Sequence, residues 1–251
     1  MINISYTDIF CTITFDRVSK KNALTKDMYL RMIEAFEKSL ASNTVKALII
    51  RGKGDYFCSG HDVQEFIKNP KNLTQDHPLL QFLGYLESFS KFLIFVLDGH
   101  AVGIGATMLL HGDFIIAQKK VEISTPFIQM GLCAEAGSSQ LLEPIIGKAL
   151  AREMLLLGRT IKADRLKGTL INELTTSVLQ SDAMLSLVKK QISALPLSGI
   201  LTNKDLMQPR FENITKTMER EVQSFAFLLQ SPETQKIITE KMNNLKKSKS
   251  Q

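Results

Sequence analysis

The chain reads as an α/β fold of layered sheets covered by helices, followed by a helical C-terminal region. Three observations point there. The apolar runs Ala47-Leu48-Ile49-Ile50 and Phe92 to Leu97 each empty into a glycine-punctuated loop, RGKGDYFCSGHD (51–62) and DGHAVGIGA (98–106), that opens a helical segment. Strand-like and helix-like patterns alternate through about residue 175, the mark of sheets covered by helices. After residue 180 the pattern is helical throughout.

Each element has a local cause. Ile9, Cys11, Ile13 and Phe15 alternate with Thr12 and Thr14, the period of a half-buried strand. A helix follows, with Thr25 as N-cap, Asp27 in the first turn and Met28, Met32, Ala35, Phe36 and Leu40 along one apolar face. Residues 45–50 form the next strand and feed the first glycine loop. Residues 64–90 are a polar excursion with Pro70 and Pro78, then a helix over 79–89 that delivers the chain to the strand at 92–97. A helix over 104–111, a strand over 114–117 and a helix over 147–157, with Ala149, Met154 and Leu157 on its apolar face, come next. Pro196 punctuates the helical C-terminal part. Ser231-Pro232-Glu233 supplies a cap, a first-turn proline and a first-turn acid for the last helix. The expected division is a core over 1–190 and a C-terminal helical region over 191–251 that packs on its own body or on a neighbouring subunit.

Composition narrows the function. The length of 251 residues allows a sizeable core without metal or disulfide staples, and 44% hydrophobic with 22% charged residues is ordinary for a globular protein. Cys11, Cys58 and Cys133 are odd in number and form no C-x-x-C pair, so they are expected to be reduced and mostly buried. The N-terminus has no signal-peptide pattern and no run approaches the roughly 18 apolar residues of a membrane span, so a cytoplasmic location with no membrane partner is expected. The net charge of +6, raised by the NLKKSKSQ terminus that reads as a frayed tail, suits an anionic small molecule. Nucleic acid is not expected, because basic and aromatic residues are not interleaved.

The glycine loops carry the chemistry. Glycine lets backbone approach a ligand, and the first turn of a helix leaves N–H groups without acceptors, so two such loops can make one oxyanion hole. Other readings are weaker. His61, His100 and His111 with Asp98 and Asp113 lack the spacing of a metal site, and Gly103-x-Gly105 has Met108 where a dinucleotide fingerprint needs its third glycine. Asp62 reads equally well as a helix N-cap, and Cys58 reads as a packed small hydrophobe.

DRVSKKNALT (16–25), FCSGHD (57–62), GHAVGIGATMLLHGDFIIA (99–117), TPFIQMGLCAEAGSS (125–139) and GKALAREMLLLGRTIKADRLKGTLINEL (147–174) resemble, in order and spacing, the crotonase (enoyl-CoA hydratase/isomerase) superfamily. The match spans roughly residues 9–204. The resemblance implies a spiral of repeated ββα units, C-terminal helices that build a homotrimer or hexamer, an acyl-CoA substrate, and no metal or separate cofactor. It also implies that the backbone N–H groups of His61 and Ile104 hold the thioester oxygen. The CoA moiety is then expected across Lys21, Ala23 and Leu24 and along Ser59, Gly60, His61, Asp62 and Val63, with Lys20, Lys21 or basic residues of the C-terminal helices near the phosphates.

Typical hydratases of that family use two glutamates, and this chain has Thr107 and Phe127 at the matching positions. Glu135, in GLCAEAGSS, resembles instead the base of the peroxisomal-type 3,2-enoyl-CoA isomerases. By that resemblance one carboxylate moves a proton from the α to the γ carbon of a 3-enoyl-CoA in fatty acid metabolism, in an apolar pocket lined by Phe127, Ile128 and Leu132 that would raise its pKa. Two alternatives stay open from the sequence: a hydratase or another crotonase reaction, and an acyl-CoA-binding protein without turnover.

Overall fold

The computed structural model describes residues 1–62, 64, 77–207 and 214–247, with the side chains of 245–247 left aside. Of the excursion expected over 64–90, residues 65–76 lie outside the described residues, as does Val63. Among the described residues, ten strands form two sheets. The larger has six strands in the order β1 (Ile2–Tyr6), β2 (Phe10–Phe15), β3 (Ala47–Gly52), β5 (Phe92–Leu97), β7 (Phe114–Gln118), β10 (Glu173–Thr175). The smaller has four, β4 (Tyr56–Cys58), β6 (His100–Val102), β8 (Glu122–Ser124) and β9 (Ile161–Lys162). Among the described strands, β1 with β2 and β8 with β9 pair antiparallel and the rest pair parallel.

The helices are α1 (Lys26–Ala41), α2 (Pro78–Ser88), α3 (Ile104–Thr107, continued as a 3-10 turn Met108–His111), α4 (Ser138–Ile146), α5 (Lys148–Leu157), α6 (Val178–Ala194), α7 (Leu197–Met207), α8 (Ile214–Leu229) and α9 (Pro232–Lys247). A ββα unit therefore repeats: β3, β4, α2; then β5, β6, α3; then β7, β8, α4. In each unit the first strand joins the large sheet and the second joins the small one. A helical region closes the chain.

The apolar runs are continuous because both faces of the central strands are covered. On β3, Leu48 and Ile50 face the main core, while Ala47 and Ile49 face a second cluster. That second cluster also holds Ile94 and Val96 of β5 and is covered by Leu185, Val188 and Ile192 of α6 and Ile200 of α7. A third cluster packs Phe127 and Leu132 against Phe225 and Leu229 of α8 and Ile238 of α9.

The local signals act as expected. Thr25 Oγ1 accepts from the Met28 N–H at 3.3 Å, and Ser231 Oγ accepts from the Thr234 N–H at 3.2 Å. Residues 244–247, expected as part of a frayed tail, instead continue α9, since no breaker follows Pro232 before the end of the helix. α6 runs across residue 190.

Candidate active site

The site is built where the two glycine loops meet. A Cβ on Gly60 would lie 3.4 Å from the Val102 carbonyl oxygen, and one on Gly103 would lie 3.6 Å from Gly60 Cα. Gly60 has φ +98° and Gly103 φ +59°, conformations that side chains resist. Sequence-distant loops thus touch through backbone. Ile104 begins α3, so its N–H belongs to a first turn that has no intrahelical acceptor. His61 forms a parallel bridge with Leu24, in which the Leu24 N–H donates to the Gly60 carbonyl and the Asp62 N–H to the Leu24 carbonyl, both at 2.8 Å. That ladder uses the neighbours of His61 and turns the His61 N–H to the opposite side.

The same bridge brings together the two segments expected to meet CoA. Lys21 and Asn22 both have positive φ, and the Ser59 N–H donates to the Lys21 carbonyl at 3.0 Å. Asn22, fully buried, fixes the turn: its Nδ2 donates to the carbonyls of Lys53 and Tyr56, and its Oδ1 accepts from the Arg17 N–H. Arg17 pairs with Asp62 at 2.8 Å. Lys20, Lys21 and Ala23 remain at least partly accessible, while the Leu24 side chain is buried, so Leu24 offers backbone alone. Asp62 Oδ1 also accepts from the Gln64 N–H at 3.2 Å, as the capping reading expects.

Glu135 is 3% exposed. Its Oε1 accepts from Thr107 Oγ1 at 2.5 Å, and its Oε2 lies 3.8 Å from His61 Nε2. The side chain therefore stands between His61 of the first glycine loop and Thr107 of the helix that the second loop opens. Its negative charge adds to the burial that pushes the Cys58 thiol up to about 12 and, together with Glu221, the Cys133 thiol up to about 11, so neither sulfur is a thiolate at neutral pH. Of the three side chains expected to wall the site, Phe127 and Leu132 are buried, whereas Ile128 is 50% exposed. Ile128 opens a 3-10 turn ending at Met130, which points it outward.

Three further residues shape the site. Tyr29 on α1 shares a 2.5 Å hydrogen bond with His61 Nδ1. His111 Nε2 pairs with the Ala136 carbonyl at 3.0 Å, and burial depresses the His111 pKa. Glu221 of α8 accepts from the N–H groups of Gly137 at 2.7 Å and Ser139 at 3.0 Å. These contacts clamp a strained turn, for Ala136 has φ +57° and Gly137 φ +73°. Glu221 had a readable signal: it interrupts the apolar stripe Met218, Phe225, Leu229 at a helix-face position. Tyr29 also lay on such a face, but nothing local named its partner.

Residues 7–247 match the profile of the family described as enoyl-CoA hydratase/isomerase. The chain belongs to that family. Among enoyl-CoA hydratase/isomerase family members, mouse enoyl-CoA delta isomerase 3, peroxisomal, is 34% identical over 167 residues, 64% of this chain and 52% of that protein. The 2,3-dehydroadipyl-CoA hydratase of Escherichia coli is 26% identical over 217 residues, 86% of this chain and 85% of its own length. The structure of OdaA from Pseudomonas aeruginosa superposes with a TM-score of 0.90 at 32% identity, covering 96% of this chain and 98% of that one. The chain spans about half the length of the delta isomerases it matches. The ββα repeats and helical C-terminal region are this family's crotonase-like fold.

Proposed function

We propose that the protein is a 3,2-enoyl-CoA isomerase in which Glu135 is the single acid–base group. The observation that carries this reading is the buried Glu135 carboxylate held between His61 of the first glycine loop and Thr107 of the helix that the second loop opens, with Thr107 and Phe127 where the resemblance places a hydratase's glutamates. Thr107 occupies Oε1 as a donor, which leaves Oε2 to receive a proton. Removal of the α hydrogen of a 3-enoyl thioester sends its electrons into a dienolate. The N–H groups of His61 and Ile104 then stabilise the oxygen, each donor being worth about 3 kcal/mol. Return of the proton to the γ carbon leaves the conjugated 2-enoyl-CoA. One carboxylate suffices because it accepts and then donates.

In this reading CoA lies across Lys21, Ala23 and Leu24 and along Ser59–Asp62, continuing to Val63, and the protein assembles as a homotrimer or hexamer. The delta isomerases among the relatives support the reaction class. Incubation with 3-hexenoyl-CoA, followed by ultraviolet absorbance of the conjugated thioester, tests it. Isomerisation without hydration of crotonyl-CoA is the expected result. Hydration without isomerisation would replace this reading with the hydratase one, and binding without either would make the chain an acyl-CoA-binding protein.

A further inference from the structure

Glu135 opens a tight turn. The Ser138 N–H donates to the Glu135 carbonyl at 3.1 Å, and the two residues between them, Ala136 and Gly137, have φ +57° and +73°. Positive φ at both central residues is the type I′ pattern, which glycine adopts readily and alanine resists. Such strain persists only where surrounding contacts hold it. Here the middle peptide of the turn is held at both ends. The Ala136 carbonyl meets His111 Nε2 at 3.0 Å, and the Gly137 N–H donates to Glu221 Oε2 at 2.7 Å. A carbonyl oxygen only accepts, so this hydrogen bond places the His111 ring proton on Nε2. Rotating the peptide to the type II′ arrangement would break both bonds and turn the Ala136 carbonyl toward the Glu221 carboxylate.

His111 comes from the helix that the second glycine loop opens. α3 begins at Ile104; Thr107, three positions on, donates to Glu135 Oε1 at 2.5 Å; and His111, seven positions on, closes the 3-10 continuation of the same helix. Residues at these spacings share one helix face. That face therefore addresses the carboxylate through Thr107 and the turn behind it through His111, starting from the residue whose N–H is the expected oxyanion donor.

We propose that His111 is a positioning residue for Glu135: it ties the Glu135 turn to the helix that presents Ile104 and, with Glu221 on the other end of the same peptide, fixes the base relative to the oxyanion donors. His111 moves no proton in this role. Burial lowers its pKa, so the ring stays neutral and acts as a plain donor at neutral pH. Accurate placement matters because one carboxylate must reach the α carbon and then the γ carbon while the thioester oxygen stays on its donors. An error of about 1 Å in such a placement costs on the order of 100-fold in rate. The catalytic consequence rests on the isomerase reading; the clamp on the Ala136–Gly137 peptide does not.

Two variants and two readouts test it. His111→Leu fills the space without a donor, and His111→Gln sets an amide N–H where Nε2 stood. With 3-hexenoyl-CoA, kcat of His111→Leu is expected to fall on the order of 10- to 100-fold while KM stays within about twofold, and His111→Gln to keep kcat within about threefold of native. Should His111→Leu fail to fold, His111→Asn, polar but too short to reach Ala136, takes its place with the same expected loss. Native kcat without the donor, or an equal loss in His111→Gln, overturns the proposal. The second readout is hydrogen–deuterium exchange of the ligand-free proteins, followed by mass spectrometry of a peptide spanning Glu135–Ser139. That peptide is expected to exchange at least about tenfold faster in the variant lacking the donor and at the native rate in His111→Gln. Unchanged exchange overturns the clamp. If the native protein does not isomerise 3-hexenoyl-CoA, the isomerase reading falls, and the exchange rates still decide whether His111 holds the turn.

Discussion

A single hydroxyl decides which oxygen of Glu135 is available for chemistry. Thr107 Oγ1 donates to Oε1 at 2.5 Å in a buried setting, where a hydrogen bond to a charged group is worth about 1.5–3 kcal/mol. Thr107→Val keeps the shape and removes the donor. Its kcat is expected to fall on the order of tenfold with little change in KM, measured by the same absorbance assay. Residue by residue, the sequence was legible where the cause is local: Thr25 and Ser231 cap helices a few positions away, and Glu135 was found through its motif. The Tyr29–His61 contact joins residues 32 apart, and the Glu221–Gly137 contact joins residues 84 apart. No periodicity encodes such pairings, which arise only after the ββα units stack.

At the scale of elements, α8 holds the turn that follows Glu135. Glu221 reaches from α8 to two N–H groups just after Glu135, and burial raises its pKa above the ordinary glutamate value of 4.5. The sign follows from linkage: an acid whose folded pKa is raised loses folded-state stability as pH climbs from its unfolded pKa through the higher folded one. Thermal melts of the native protein are therefore expected to lose a Glu221 contribution as pH rises above about 4.5. Glu221→Gln, which has no charge to bury, is expected to flatten that part of the profile; identical pH dependence in the two proteins would contradict it. Long elements such as α1, β3 and β5 were readable from period and capping. The short strands β4, β6 and β8 were not, because three residues, set inside a glycine loop for β4 and β6, are too few to show alternation. The second sheet becomes visible only when the loops align in parallel.

For the whole molecule, Arg51 ties the large sheet to the helical cover. Its guanidinium meets Asp98 at 2.9 Å and Asp182 of α6 at 2.8 Å, and the buried Asp98 also accepts from Gln118 Nε2. Arg51→Met strands the Asp98 charge and is expected to cost about 3 kcal/mol in urea unfolding, since breaking a buried pair leaves an uncompensated ion. Assembly belongs to the same scale. The resemblance implies a homotrimer or hexamer, so sedimentation is expected to give three or six times the 28.1 kDa chain mass; Phe227, an exposed apolar side chain of α8, is a candidate contact, and Phe227→Asp is expected to shift the mass toward the monomer. The central claim is that Glu135 moves the proton. The most direct measurement is the rate at which native protein and Glu135→Gln convert 3-hexenoyl-CoA to its conjugated isomer: loss of at least about 100-fold in kcat, with CoA-ester binding retained, is the expected result. Turnover by Glu135→Gln at the native rate would contradict the account.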